Sequence, residues 1–293
     1  MYSEHDILII LAGGASSRMK GATKTKGLSP KDIVQANTRS KGLLEVGADN
    51  LPFLHYLLYN AKKAGYKRIF IVIGETDTFY QEIYGKHIKN NHFHGLEISF
   101  ARQHIPKGGT KPIGTADAVY QTLVQYPELQ NHSFTVCNSD NLYSSEVLRA
   151  LRDSTALNAL IGYDSEELQY TTERIARFAL IKLNKSNHLI DIIEKPDSSV
   201  IENYRDIGGK LRVSMNIFKF NGQQFFPYLK NCPLHPERNE KELPTALLNM
   251  VQAFPNSVAV IPFSEHVIDL TSKDDILQVR RFLKKAYPHG LDW

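Results

Sequence analysis

The chain has 293 residues, a formal net charge of +4 and 42% hydrophobic residues. This allows a sizeable core in one large α/β domain or two small ones, and the scatter of lysine and arginine among the acids leaves no basic block of the kind that grips nucleic acid. Two cysteines, Cys137 and Cys232, with no Cys/His pairs at ligand spacing, argue against a disulfide scaffold and a zinc site and point to a reducing cytoplasm.

The N-terminal apolar run is too short to span a bilayer. It lacks a basic flank and carries Gly13-Gly14 where a signal peptide would be cleaved, so it reads as a first strand rather than a membrane or export segment. Residues Asp6 to Ala12 form that strand, apolar throughout as in a strand buried on both faces. From Ala15 to Lys41 no period is sustained, and so long a loop in a compact domain is usually functional. Leu54, Leu57, Leu58, Ala61 and Ala64 then keep helical spacing up to Gly65, and Arg68 to Ile73 reads as a strand, completing one βαβ unit. The alternation continues with a helix around Phe79 to Ile88, a strand at Leu96 to Ala101, a helix at Ala116 to Tyr126, a strand at Ser133 to Cys137 and a helix from Ser145. Such alternation predicts a mainly parallel sheet covered on both faces.

After Leu157 strand-like segments follow one another at Asn158 to Tyr163, Arg177 to Leu183, His188 to Ile193 and Leu211 to Phe220, where antiparallel pairing is expected. Helices around Phe225 and at Glu242 to Ala253, a strand at Ser257 to Phe263 and a helix at Lys273 to Ala286 complete the order. With no internal repeat or low-complexity linker, residues 1–293 read as one domain with a first half (1–155) and a less regular second half (156–293).

Four places could carry chemistry. LAGGASSRMK, residues 11–20, leaves the first strand through glycines that let main-chain N–H groups approach phosphate oxygens, with Arg18 as a clamp. Neither common phosphate loop fits: the P-loop pattern cannot be aligned, and Ala15 and Arg18 stand where G-x-G-x-x-G needs glycine. QHIPKGGTKPIGTA, residues 103–116, is a Gly/Pro-rich passage into a helix that Thr115 or a neighbour could cap. Asp140, in NSDN at the carboxyl end of a strand, lies where ligands of open α/β sheets collect and could hold a metal, although an aspartate there is more often a cap or turn former. IEKP, residues 193–196, ends a further strand. The eleven histidines form none of the known metal or nucleophile motifs.

The run LAGG-x-S-S-R-M resembles the signature loop of the nucleotidyltransferase superfamily, which includes the sugar-1-phosphate pyrophosphorylases and the molybdenum cofactor guanylyltransferases. The resemblance implies a three-layer, Rossmann-like α/β/α sandwich of the nucleotide-diphospho-sugar transferase type, with residues 1–155 binding NTP and 156–293 the acceptor. It implies that Ala12, Gly13, Gly14, Ser16, Ser17 and Arg18 wrap the triphosphate and that a following lysine meets phosphate. Lys41, in SKGLLEVG, matches the family's K-P-L-L-x-V lysine with Gly42 in place of proline, while Lys24 and Lys26 are further candidates. Gln103, Gly114 and Thr115 match the Q…G-T-A segment that lines the base pocket, with Lys111 a weaker phosphate candidate.

The same resemblance makes Asp140 a ligand of Mg²⁺ and assigns Glu194 and Lys195 of E-K-P to the sugar phosphate. Asn216, in VSMNIF, stands in the strand lining the sugar pocket, where N-A-G-I-Y is the common form. Asp269, in VIDLTSKDD, would be a second metal ligand, although Thr271 or Ser272 could simply cap the last helix.

The implied reaction is transfer of NMP from an NTP, UTP or dTTP by preference, to a sugar 1-phosphate, releasing pyrophosphate. Arg18, Lys41, Asp140 and Lys195 would carry it, without a covalent intermediate. A glycosyltransferase is disfavoured because Asp140-Asn141-Leu142 is not D-x-D. A cytidylyl- or guanylyltransferase acting on another phosphorylated acceptor and a non-catalytic nucleotide-sugar-binding protein stay open. So do the base, the acceptor and the oligomeric state, a homo-oligomer included.

Overall fold

A computed structural model describes residues 5–23, 25–194, 196, 197 and 199–293. In chain order its strands are β1 (Ile7–Leu11), β2 (Arg68–Gly74), β3 (Asn91–Phe93), β4 (Leu96–Gln103), β5 (Ser133–Asn138), β6 (Asn141–Leu142), β7 (Asn158–Asp164), β8 (Ala179–Leu183), β9 (Leu189–Ile193), β10 (Arg212–Ser214), β11 (Ile217–Asn221), β12 (Val258–Phe263) and β13 (Ile268–Asp269). The helices are α1 (Ser17–Lys20), α2 (Pro30–Thr38), α3 (Phe53–Ala64), α4 (Phe79–Tyr84), α5 (Thr115–Gln125), α6 (Ser145–Asp153), α7 (Thr172–Ile175), α8 (Gly222–Lys230), α9 (Leu243–Ala253) and α10 (Ile276–Ala286).

One mixed sheet runs β3-β4-β2-β1-β5-β11-β7-β10-β8-β9, with β12 added to β7. The strands β4, β2, β1 and β5 are parallel, as the βαβ alternation predicts. β3 pairs antiparallel to β4 at one edge, and beyond β5 the pairing is antiparallel again through β11, β7, β10, β8 and β9, while β12 returns parallel to β7. Because successive strand residues point to opposite faces, β1 sends Leu8 and Ile10 into one core, beneath α3, α6 and α10. It sends Ile7 and Ile9 into the other, beneath α5, α8 and α9. Burial on both faces is the reason the strand is apolar without alternation. The result is a three-layer α/β/α sandwich. Among the described residues, no helix is long and apolar enough to cross a membrane.

The structure adds short elements that the sequence reading did not name (α1, α7, β3, β6 and β13) and departs from it in three further places. The stretch from Ala15 to Lys41 is not all loop: it contains α2, which starts with a capping box in which the Ser29 hydroxyl accepts from the Asp32 N–H and the Asp32 carboxylate accepts from the Ser29 N–H. The short, polar helix has too few apolar positions to register as a period. The helix expected to reach Ile88 ends at Tyr84, because Gly85 takes a φ of 127° and a side chain there would collide with Asn91. The strand expected over Leu211 to Phe220 is two strands, broken at Met215 and Asn216, where Asn216 turns into the left-handed region at φ 57°.

Asp32 is also the tie between α2 and α10. Its buried carboxylate accepts two hydrogen bonds from Arg280, one of them 2.9 Å long. The guanidinium holds its pKa down at about 2, against an ordinary 3.8. A carboxyl whose folded pKa is depressed contributes stability above the unfolded pKa, and that contribution is lost as pH falls from about 4 toward 2. Asp32→Asn is therefore expected to lower unfolding free energy by about 2 kcal/mol at pH 7. It should also flatten the loss of stability between pH 4 and pH 2, measured by urea unfolding across that range.

Candidate active site

Two parallel pairings assemble the site at the carboxyl edge of the sheet. Leu11 lies opposite Asn138 and Val72 in the β1–β5 and β1–β2 ladders. The ladders extend one step further, through Ala12 N–H to Val72 O at 2.8 Å and Ser139 N–H to Leu11 O at 3.1 Å. The loop from Ala12 to Arg18 and the turn carrying Asp140 therefore leave adjacent strands at the same height. At Gly13 a Cβ would lie 3.2 Å from the Ile73 carbonyl carbon, a tight fit against the neighbouring strand, whereas at Gly14 it would meet open space. Ser16 takes a φ of 53° just before α1, and α1 is anchored by the buried Met19, which leaves Arg18 exposed.

A cavity of about 420 Å³ opens beside this edge. It is lined by Ala12, Gly13, Gly14, Ser16, Ser17, Arg18, Lys41, Gln103, Lys111, Gly114, Thr115 and Asp140, so the segments proposed for the NTP converge on one space. Lys26 does not line it, and Lys24 lies outside the described residues. Beside Lys41, Gly42 packs closely against α4 and the turn after β5: a Cβ there would stand 3.2 Å from the Tyr80 hydroxyl and 3.3 Å from Ser139. Lys41 Nζ lies 2.8 Å from Asp140 Oδ2.

At the far end, Gln103 is the last residue of β4 and is buried. Its Nε2 donates to Gly114 O at 2.9 Å and to Asp117 Oδ2 at 3.0 Å. Gly114, not Thr115, is the residue that caps α5, at φ 108°, and a Cβ there would lie 2.4 Å from the Lys241 carbonyl oxygen. The Thr115 hydroxyl instead accepts from Leu243 N at the start of α9, joining the two helices. Lys111 is engaged by Glu240 at 2.6 Å.

A second cavity, of about 1040 Å³, lies on the other side of Asp140. Arg18, Asn138 and Asp140 line both. The second is walled by Asn216, Glu194, Arg174, Arg238 and Asp269 among others. The Asn216 N–H donates to the Ser214 hydroxyl at 3.2 Å and its carbonyl accepts from the Tyr143 hydroxyl at 3.2 Å. Both main-chain groups are thereby fixed, and the exposed side chain faces the cavity. Where the common family form has glycine, asparagine is the side chain that best tolerates left-handed φ. Glu194 is clamped by Arg238, which also holds Glu242, at 2.6 and 2.7 Å. Lys195 lies outside the described residues.

Asp269 comes back to Asp140 by way of a two-strand ladder. It lies opposite Asn141 in the β13–β6 pairing, and Leu270 N–H donates to Asp140 O at 2.8 Å. Its carboxylate is held by Arg174 at 3.0 Å and by the Thr271 hydroxyl at 2.7 Å. Burial, and then the neighbouring charge of Asp140, push its pKa up. Capping of the last helical segment falls instead to Ser272, which forms a capping box with Asp275. Carboxylate oxygens are hard donors of the kind that suits Mg²⁺, and Asp140 and Asp269, both partly buried, are the residues that could hold it.

Sequence reasoning missed Asn138, Arg174 and Arg238. No motif marks Arg174 or Arg238, since both reach the site from segments that only the fold brings near it. Asn138 sits two residues before Asp140 and could have been found as the end of β5.

Residues 7–285 match the family model described as "Nucleotidyl transferase". Curated relatives include the glucose-1-phosphate adenylyltransferase small subunit (chloroplastic/amyloplastic) of Triticum aestivum, 28% identical over 64% of this chain and 37% of its own length. Another is the glucose-1-phosphate adenylyltransferase of Koribacter versatilis (strain Ellin345), 24% identical over 75% of this chain and 49% of that protein. The chain thus spans less than half the length of either. A crystal structure of UDP-glucose pyrophosphorylase complexed with UDP-glucose superposes on 96% of this chain and 99% of that one with a TM-score of 0.68, at 17% identity, a likeness of fold. With the match running from the first strand into the last helix, this chain belongs to the nucleotidyl transferase family.

Proposed function

We propose that this chain transfers a nucleoside monophosphate from an NTP to a sugar 1-phosphate and releases pyrophosphate. The observation that carries the reading is the junction of two cavities at Arg18, Asn138 and Asp140. A reaction between two polyanions needs a shared boundary where the α-phosphate and the acceptor phosphate can meet in line, and it is catalysed chiefly by positioning and by charge neutralisation. Support for a sugar phosphate as acceptor comes from the relatives, both glucose-1-phosphate adenylyltransferases.

In this reading the loop from Ala12 to Ser17 offers main-chain N–H groups to the triphosphate, and Arg18 clamps phosphate oxygens at the junction. Lys41 neutralises charge beside Asp140. Glu194, held by Arg238, and Asn216 line the space for the sugar, and the resemblance assigns Lys195 of E-K-P to the acceptor phosphate. Asp140 and Asp269 would hold Mg²⁺, which when bound supplies positive charge to the reacting phosphate oxygens. Because both amide hydrogens of Gln103 are committed to Gly114 O and Asp117, its carbonyl oxygen is left to accept from the base. Every nucleobase can offer an N–H to such an acceptor (N3–H of uracil and thymine, N1–H of guanine, the exocyclic amines of adenine and cytosine), so the preference for UTP or dTTP rests on the likeness of Gln103 and Gly114 to the pyrimidine-reading pair of sugar pyrophosphorylases.

The direct test is pyrophosphate release with Mg²⁺ across a grid of UTP, dTTP, ATP, CTP and GTP against sugar 1-phosphates and alcohol phosphates. Release that requires one NTP and one sugar 1-phosphate is expected. Silence across the grid, with nucleotide-sugar still bound, would replace this reading with that of a binding protein.

Two variants sharpen the assignment. Asp140→Ala is expected to reduce turnover on the order of 10²–10³-fold while leaving the thermal midpoint unchanged, by analogy with loss of a charge-stabilising group. Full activity in the folded variant would remove Asp140 from the mechanism. Asn216→Gly keeps the left-handed turn but empties the side-chain position, so the KM for the sugar 1-phosphate and the ranking of sugars should change while the KM for NTP stays within about twofold.

A further inference from the structure

Arg174 belongs to none of the motifs above, yet it makes more directed contacts to the Asp269 segment than any of the motif residues. It lies on α7. Its Nη2 donates to the main-chain oxygen of Asp269 and to Oδ2 of the same residue, both at 3.0 Å, and its Nη1 donates to Asp275 Oδ1 at 2.5 Å. The guanidinium lies 4.2 Å from the centroid of the Tyr170 ring. The Tyr170 hydroxyl in turn donates to Val267 O at 2.7 Å and accepts the Asp269 N–H at 2.8 Å. Asp275 closes the frame by accepting from the N–H groups of Thr271 and Ser272, at 2.9 and 2.7 Å. Side chains from residues 170–174 thus hold the amide, the carbonyl and the carboxylate of Asp269.

That carboxylate sits beside another of the same sign. Asp269 lies in β13 and Asp140 directly precedes its partner strand β6, and each has a cation within hydrogen-bond reach: Lys41 Nζ at 2.8 Å and Arg174 Nη2 at 3.0 Å. Two carboxylates converging on one space repel unless opposite charge lies close. A planar, five-donor guanidinium can serve the carboxylate, the carbonyl and Asp275 at once while lying over an aromatic ring, which an ammonium cannot do.

We propose that Arg174 is the positioning residue of the metal centre: it fixes the Asp269 carboxylate toward Asp140 and supplies the charge that lets the two face one another. The proposal rests on the reading of Asp140 and Asp269 as metal ligands. Residues that orient a ligating group in this way commonly govern metal affinity by about 10–100-fold.

The test is a Mn²⁺ titration of the full chain in the presence of a nonhydrolysable NTP analogue, with free Mn²⁺ followed by electron paramagnetic resonance, on the wild type, Arg174→Gln and Arg174→Lys. Affinity is expected to fall roughly tenfold in Arg174→Gln and to recover only in part in Arg174→Lys, which keeps the charge and loses the fork. In pyrophosphate release the apparent KM for Mg²⁺ should rise and kcat fall, with the KM for NTP little changed. Wild-type Mn²⁺ affinity in a folded Arg174→Gln would overturn the proposal. If Arg174→Gln does not fold, Arg174→Lys decides: weakened binding supports the proposal and unchanged binding overturns it. A wild-type chain that binds no Mn²⁺ under these conditions would instead overturn the metal reading itself, and Arg174's role with it.

Discussion

The parallel register of β5 against β1 is the constraint on which the site depends. Leu11 opposite Asn138 brings two loop exits to the same height, and one main-chain bond, Ser139 N–H to Leu11 O, carries that alignment past the end of the ladder. A slip of one residue would turn Ile7 and Ile9 toward the wrong core and reverse every side chain on the strand. Burial on both faces therefore specifies the register, and the register fixes the distance between the Ala12–Arg18 loop and Asp140. The chemistry at the edge inherits its geometry from hydrophobic packing some residues away.

A second set of contacts ties the ends of the chain together around this edge. The buried Lys273 donates to Gly21 O at 2.5 Å, the hydroxyls of Thr23 and Thr25 donate to Asp274, and Arg280 reaches Asp32. The segment after the Ala12–Arg18 loop and the segment after Asp269 are thus pinned to each other. The β6–β13 ladder then carries Asp269 to Asp140. Residues from nearly opposite ends of the sequence become one mechanical unit, and Arg174 with Tyr170 braces it from a third segment. Neither ladder nor brace is long, so the precision of the carboxylate pair comes from many directed bonds rather than from area of packing.

Much of the fold was legible in the sequence because burial writes a simple pattern. The unbroken apolar runs Ile7 to Leu11 and Arg68 to Ile73, with the periodic helix between them, give a parallel βαβ unit on inspection. The helix α2 was not legible, because its stability comes from the Ser29–Asp32 box and from Arg280, a partner far along the chain, rather than from an apolar period. The break at Asn216 was hidden for another reason: a left-handed residue leaves no trace in hydrophobicity. Of the candidate site, the loop, Asp140 and the Gln103 to Thr115 segment could be located by position and resemblance. What could not be read were contacts between segments, such as Lys41 reaching Asp140, or Glu194 held by Arg238. Gly42, at the position of a usual proline, packs closely against Tyr80 and Ser139 beside Lys41, a contact that no pattern in the sequence announces.

The central claim is that NTP and acceptor occupy the two cavities and meet at Arg18, Asn138 and Asp140. The measurement that tests it most directly is a crystal structure of the chain with a nonhydrolysable α,β-methylene NTP analogue, Mg²⁺ and a sugar 1-phosphate. The account predicts the base against Gln103 and Gly114, the α-phosphorus at the junction, and the sugar between Glu194 and Asn216 with its phosphate turned toward Arg18. A nucleotide whose base lies in the larger cavity, or whose α-phosphate lies away from Asp140, would contradict it.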